Sequence, residues 1–149
     1  MAAAIFLGFN ILAFVALLRW GDRPERITVA MTIVYIAVSM VAGPLDIGDW
    51  RFGIALIDLM YLIGLVVLTE RRGRWWLVLA TSAQLGVIIT HILPLIAPGD
   101  SVMASYALRM GFWIVISIAF FVGAWEAWAD RRYRLEETHS HGQSRHHPS

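Results

Sequence analysis

The sequence predicts an all-α membrane protein: a bundle of five transmembrane helices with the N-terminus outside, the C-terminus in the cytoplasm and a disordered polar tail. Of its 149 residues, 58% are hydrophobic and 15% are charged, whereas soluble domains typically carry about 25% charged residues. Apolar runs recur at close to the roughly 20 residues that a spanning helix needs. Arginines are concentrated in alternate connections between these runs, as the positive-inside rule requires of a multi-span protein.

The predicted spans belong to one transmembrane domain, residues 1–134, and cover about residues 2–18, 27–42, 52–68, 75–96 and 102–125. The first run is expected to be a retained span rather than a signal peptide, because no basic residue precedes Arg19. The second run ends at the Gly-Pro pair at 43–44, which is a helix stop. Asp49 is suited to cap the third helix, and Asp100 or Ser101 to cap the fifth.

The segment after the last span, residues 135–149, is polar and holds four of the five histidines. A segment of this composition buries too little apolar surface to offset the entropy of ordering, so we expect it to be disordered. The tail histidines could bind Zn²⁺ or Ni²⁺ weakly, but a good site needs preset geometry. The sequence therefore predicts no metal site.

Arginine counts give the orientation. Three arginines lie in each of the first connection, the third connection and the start of the tail: Arg19, Arg23, Arg26; Arg71, Arg72, Arg74; Arg131, Arg132 and Arg134. The second connection has only Arg51, and the fourth has none. Most tryptophans fall at the same boundary, as an aromatic belt would: Trp20, Trp75, Trp76, Trp125 and Trp128. The pattern predicts a multi-pass protein of a bacterial inner membrane whose arginine-rich face is cytoplasmic.

Three ionisable side chains lie inside the predicted spans, where such groups are costly and often mark function. At about 1.5 Å of rise per residue, Asp58, His91 and Arg109 lie roughly 9, 8 and 10 Å from the same membrane face. Three different helices thus bring an acid, an imidazole and a guanidinium to one level. We expect these three residues to form an intramembrane polar cluster.

Other polar and aromatic residues accompany this cluster at helical spacing: Tyr61, Gln84, Tyr106 and Trp113, and on the second span Thr28, Thr32, Tyr35 and Ser39. Two interpretations remain open. Asp58 and Arg109 are most simply a structural ion pair that fixes the register of two helices. The alternative is a proton-sensitive or anion-binding pocket that opens to the outer face.

Several kinds of chemistry have little support. There is no cysteine, no phosphate-binding loop and no hydrolase or metalloprotease motif, and the net charge of +1 does not suggest nucleic acid binding. A bis-histidine haem needs two intramembrane histidines, and only His91 lies in a span. Haem held by His91 with Met60 or Met110 is an alternative without further support. The sequence requires no cofactor, and the chain is more consistent with a non-enzyme.

The chain resembles small bacterial multi-span inner-membrane proteins that have no assigned activity. The residues that carry the resemblance are the early Arg23-Pro-Glu-Arg26, the span with Asp58, Arg74-Trp75-Trp76, Gln84 with His91, and Tyr106 with Trp113. The resemblance covers most of the chain except the tail. It implies the fold and supplies no mechanism.

Three functions follow as expectations. The first is a non-catalytic subunit or scaffold of a membrane complex, with the lipid bilayer, other membrane subunits or a second copy of itself as partners. The second is a small transporter or channel with a polar pocket built on Asp58, His91 and Arg109. The third is a redox subunit that binds quinone or haem near His91.

Overall fold

The protein is all-helical in a computed structural model that describes the backbone of residues 2–42, 52–96 and 101–144, and side chains from residue 8 to residue 134 within those ranges, except 42, 94, 95, 101 and 102. Five helices follow one another along the chain: α1 (Ala2–Trp20), α2 (Arg23–Ala42), α3 (Phe52–Arg72), α4 (Trp75–Ile96) and α5 (Ser101–Ser144). The predicted helical fold class is confirmed.

The helices pack as a closed ring. Each helix contacts the next along the chain, and α5 returns to pack against α1. The short connections α1–α2 and α3–α4 lie at one end of the ring, together with residues 126–134 of α5. We call this the arginine-rich end, because the first and third groups of arginines and those at the start of the tail all lie there.

Local sequence explains both short connections. At the first, the carboxylate of Glu25 accepts a hydrogen bond from the backbone N–H of Asp22 at 2.9 Å, which is half of a capping box at the start of α2. At the second, Gly73 has a positive φ of 61°, and its N–H donates to the Thr69 carbonyl at 2.9 Å. Glycine adopts this left-handed conformation without steric cost, so α3 ends there and the chain reverses.

Four of the described helices are long and apolar enough to cross a membrane: α2 over Arg23–Val41, α3 over Phe52–Arg72, α4 over Trp75–Leu93 and α5 over Met103–Arg134. In α1 the described apolar stretch, Gly8–Trp20, is shorter. Many large apolar side chains face outward along all of these helices. Such surfaces would aggregate in water and are compatible with an integral membrane protein.

The helix bounds differ most from the predicted spans in three places. Helix α2 begins at Arg23 rather than near residue 27 because the cap lies at Asp22, and α3 continues to Arg72. Helix α5 extends to Ser144, ten residues into the segment that composition predicts to be disordered. Extension of a formed helix costs much less than nucleation, which favours this continuation. The predicted stop at 43–44 and the caps at Asp49 and Asp100 lie outside the described residues.

The apolar core lies toward the arginine-rich end of the ring. Its largest members are the fully buried Trp76, Phe120, Leu17 and Leu65. Trp76 meets Phe120 edge-on at 6.3 Å between ring centroids. Trp76 is therefore part of the core, whereas its neighbour Trp75 is 54% exposed. Adjacent residues on a helix point about 100° apart, and here Trp76 points into the bundle while Trp75 points outward.

Candidate functional site

The structure joins the three intramembrane ionisable residues in one hydrogen-bonded chain across three helices. His91 Nε2 lies 2.7 Å from Asp58 Oδ2, and Arg109 Nη2 lies 3.2 Å from His91 Nδ1. Asp58 is completely buried and His91 is 5% exposed. Within the described part of the chain, Asp58 and Arg109 are thus linked through the imidazole rather than by a direct ion pair.

The geometry sets the tautomer of His91. An arginine guanidinium only donates hydrogen bonds, so His91 Nδ1 must accept the bond from Arg109. Its Nε2 then carries the proton and donates it to the Asp58 carboxylate. A neutral imidazole between one carboxylate and one guanidinium gives the cluster zero net charge. This arrangement avoids an uncompensated charge in a low-dielectric interior.

Asp58 accepts further hydrogen bonds from two neighbouring helices. The Tyr35 hydroxyl of α2 donates to Asp58 Oδ1 at 2.7 Å, and the amide Nε2 of Gln84 in α4 lies 3.2 Å from the same atom. Gln84 Nε2 also lies 3.3 Å from the Asp58 carbonyl oxygen. The other amide atom, Gln84 Oε1, is buried without a hydrogen-bond partner, which leaves one acceptor open beside the carboxylate.

Aromatic rings form one wall of the site. The ring of Tyr35 lies 4.9 Å from Tyr61 and 5.2 Å from Trp113, between centroids. Tyr61 and Trp113 are stacked at 6.3 Å with an interplanar angle of 14°. These rings fill the space between α2, α3 and α5 beside the Asp58 carboxylate. Their packing fixes the Tyr35 hydroxyl in its position as a donor.

Arg109 has contacts on both sides of its guanidinium. Its Nε donates to the Thr90 hydroxyl at 3.3 Å, and its Cζ lies 5.7 Å from the centroid of the Tyr106 ring. Tyr106 is 46% exposed and lies on the outward-facing side of α5. Arg109 therefore lies between a buried imidazole and an exposed aromatic face, and either can hold a cation.

A buried polar stripe continues from the site along α2 toward the arginine-rich end. The Thr32 hydroxyl lies 2.7 Å from Tyr61 Oη and donates to the Thr28 carbonyl at 2.8 Å. Thr28 is fully buried and donates to the Pro24 carbonyl at 3.0 Å. The stripe ends at Glu25, which is fully buried and whose Oε1 has no partner. Ten residues of helix separate Glu25 from Tyr35, which corresponds to about 15 Å.

A second charged cluster lies at the arginine-rich end. Arg74 Nη1 donates to Glu126 Oε1 and to Asp130 Oδ2, both at 2.7 Å, and its Nη2 lies 3.9 Å from Asp22 Oδ2. The hydrogen bond to Glu126, followed by that to Asp130, raises the pKa of Arg74, so this side chain stays charged. We call these four residues the Arg74 cluster; it joins the α3–α4 connection to α5 and to the α1–α2 connection.

The predicted site residues divide into those inside the cluster and those beside it. Asp58, His91, Arg109 and Gln84 share hydrogen bonds, while Tyr61, Trp113 and Tyr106 form its aromatic surroundings. Sequence reasoning placed Tyr35 only in a polar stripe of α2 and missed Thr90 altogether. Thr90 directly precedes His91, and this position beside an intramembrane histidine is the sequence signal that could have identified it.

The haem alternative has no support from the geometry. Both ring nitrogens of His91 are engaged, one by Asp58 and the other by Arg109, so ligation of iron would break one of these bonds. Met60 and Met110 are 62% and 52% exposed and face outward. Among the described residues there is also no group of three or more His, Cys, Asp or Glu side chains that could hold a metal ion.

Comparison of the chain with protein-family models, with curated proteins and with solved structures finds no match. The side chains of the site are therefore the basis for inferring function, because a fold alone does not specify one.

Proposed function

We propose that this chain is a five-span bacterial inner-membrane protein with a cytoplasmic C-terminus, and that it is a small transporter or channel that carries protons through His91. The observation that carries this proposal is the buried hydrogen-bonded chain from Asp58 through His91 to Arg109. Intramembrane acid and histidine chains of this kind are typical of proton relays.

The hydrogen bonds make protonation of His91 and its contact with Arg109 mutually exclusive. A proton bound at Nδ1 uses the lone pair that accepts the Arg109 hydrogen bond. The resulting imidazolium remains paired with the Asp58 carboxylate. Arg109 is then the uncompensated charge, and it can keep its contact with the exposed Tyr106 ring while its long side chain moves the guanidinium away from His91. Each proton taken up at Nδ1 thus moves Arg109 away. After the Nε2 proton has passed to Asp58, Arg109 returns only once the remaining proton has shifted from Nδ1 to Nε2 by tautomer exchange or a ring flip, which restores the Nδ1 lone pair.

The buried stripe on α2 supplies the rest of a route across the membrane. Hydroxyl groups of Tyr35, Tyr61, Thr32 and Thr28 extend from Asp58 toward Glu25. The unpartnered oxygens of Gln84 and Glu25 lie near the two ends of this stripe. Buried polar atoms without protein partners are the positions that ordered water occupies, and water would complete a proton path.

Proton flux into proteoliposomes that contain a pH-sensitive dye tests this function. Wild-type protein should collapse an imposed pH gradient faster than empty vesicles do, and His91→Gln should abolish the difference, because an amide keeps hydrogen bonds without titrating. Ser82→Ala is a matched control on the same helix, since Ser82 is exposed and donates only to the Val78 carbonyl. Flux by His91→Gln equal to that of wild type would rule out His91 as the carrier.

The orientation has its own test. Reporters fused after Ser149 should behave as cytoplasmic, and reporters inserted within residues 98–101 should behave as external, because the arginine-rich end is expected inside. Cytoplasmic behaviour of the second fusion would contradict the proposed topology.

A second candidate, a subunit of a membrane complex, is favoured by an apolar groove between α2 and α3. The groove encloses about 550 Å³ and is lined by Ala30, Met31, Val34, Leu56 and Met60, among others. An apolar helix of a partner subunit would fit this surface. If this candidate is right, a second membrane protein should co-purify with the wild-type chain in fixed stoichiometry. Ala30→Phe fills the groove and should abolish this co-purification. Ile36→Phe changes a residue that does not line the groove and should leave the co-purification unchanged.

A further inference from the structure

We propose that the arginine-rich end holds a binding site for a phosphate group, supplied either by an anionic lipid headgroup or by a soluble phosphate compound. The site is a cavity of about 450 Å³ lined by Asp22, Arg23, Pro24, Arg72, Arg74 and Arg134. It is separate from the Asp58–His91–Arg109 cluster and does not depend on proton transport.

Helices that are distant in sequence each bring an arginine to the cavity. Arg23 begins α2, Arg72 ends α3, and Arg134 lies on α5. Arg74 also lines the cavity, but its charge is compensated by Glu126 and Asp130. Arg23 and Arg72 lie outside the Arg74 cluster, and Asp22 is the single carboxylate among the lining residues.

Guanidinium groups are well suited to phosphate, because their planar forks donate paired hydrogen bonds to its oxygens. A smaller cavity of about 170 Å³ shares Asp22 and Arg134 with the first and adds Arg131. Arg131 is itself anchored at 3.3 Å to the Trp20 carbonyl. The basic surface thus continues from the α2–α3 side of this end to the α1–α5 side.

The position of the cavity favours a ligand at the membrane boundary. Trp20, Trp75, Trp125 and Trp128 lie at the same end and are between 41% and 63% exposed, as residues at the headgroup level commonly are. Lipid phosphates lie at this level, and soluble phosphate compounds reach it from the aqueous side.

The cavity arginines can be tested against arginines of the same end that do not line it. The double variant Arg23→Gln/Arg72→Gln removes two cavity charges, and the control Arg26→Gln/Arg71→Gln removes the same charge from neighbouring positions outside it. Full-length protein in neutral detergent is titrated in one arm with phosphatidylglycerol against phosphatidylcholine. A second arm uses inorganic phosphate against sodium chloride of equal ionic strength, and thermal unfolding is measured throughout.

Wild type and the control should be stabilised by a phosphate-bearing ligand with similar affinity. The cavity variant should bind about tenfold or more weakly, because tenfold corresponds to the loss of one charge-assisted hydrogen bond of about 1.4 kcal/mol. Stabilisation by phosphatidylglycerol alone assigns the site to a lipid headgroup, and stabilisation by inorganic phosphate as well assigns it to a soluble phosphate compound. Equal weakening of both double variants, or stabilisation by chloride equal to that by phosphate, would show ordinary charge screening and overturn the proposal.

Discussion

The two charged clusters of this protein use the same kinds of group in opposite ways. The Arg74 cluster joins a cation directly to carboxylates, with side-chain exposures of 18% for Arg74, 20% for Glu126 and 40% for Asp130. The Asp58–His91–Arg109 cluster places a neutral imidazole between its acid and its base. Its acid is completely buried.

The Arg74 cluster therefore holds helices together by direct ion pairs, whereas the Asp58–His91–Arg109 cluster contains the side chain whose charge is proposed to change. Arg74 and its carboxylates lie where water can solvate each partner, so their pairing stabilises the fold modestly and salt screens it. Asp58 and His91 are buried, so the carboxylate there depends on its hydrogen-bond donors rather than on water. In the proposed function, proton uptake by His91 would displace Arg109 and so link the charge of this cluster to its shape, which a direct ion pair would not do.

The largest expected effect comes from Asp58→Asn. This change leaves Arg109 uncompensated in the interior and should lower the free energy of unfolding by about 3–5 kcal/mol, measured by denaturant titration in detergent. Asp58→Leu combined with Arg109→Leu should recover much of the loss. Glu70→Gln, at an exposed position of the same helix, should change stability little. If Asp58→Asn lowers the free energy of unfolding no more than Glu70→Gln does, the buried cluster contributes no more to stability than exposed charges do.

Gly123→Ala tests the packing that holds α4 against α5 beside the Arg74 cluster. A Cβ at Gly123 would lie 2.7 Å from ring atoms of Trp76, which is fully buried and has no room to move. Overpacking of this kind should cost about 1–3 kcal/mol in thermal or denaturant unfolding. Gly111→Ala is the control, because a Cβ there meets nothing within 4 Å and alanine favours the helix by about 1 kcal/mol. Equal behaviour of the two variants would contradict the close α4–α5 contact.

Tyr35→Phe removes one donor from Asp58 while leaving the aromatic wall intact. The expected cost is about 1.5 kcal/mol, the lower end for a hydrogen bond to a charged acceptor. Tyr133→Phe, at a residue that is 69% exposed, should be neutral in the same unfolding assay. If both changes are neutral, the Tyr35 hydroxyl does not help hold the carboxylate in place.

Arg74→Gln should have the smallest effect, about 1 kcal/mol at low salt, because its partners reach water and glutamine still offers one donor. Salt at 1 M shortens the screening length to about 3 Å and should reduce this difference further. The effect of Asp58→Asn should persist at the same salt concentration. A salt-independent loss for Arg74→Gln would remove the proposed contrast between the clusters.

Sequence reasoning located the buried cluster because depth along a helix follows directly from residue number. It could not place His91 between Asp58 and Arg109, since depth fixes position along the membrane normal and leaves the rotation of each helix open. The Arg74 cluster was missed for another reason. Counting arginines does not distinguish Arg74 from the other arginines of its connection. Glu126 and Asp130 lie four residues apart on one face of α5, and this spacing was a signal that they bind a cation together.

Closure of the ring has a consequence for biosynthesis. The ribosome delivers α3 and α4 before α5, so Asp58 can meet His91 while Arg109 is still unmade. At that stage Arg74 also lacks Glu126 and Asp130, which arrive only with the last helix. A nascent chain arrested before α5 therefore has Asp58 bound to His91 without the guanidinium of Arg109, and Arg74 with Asp22 but without its two closest carboxylates.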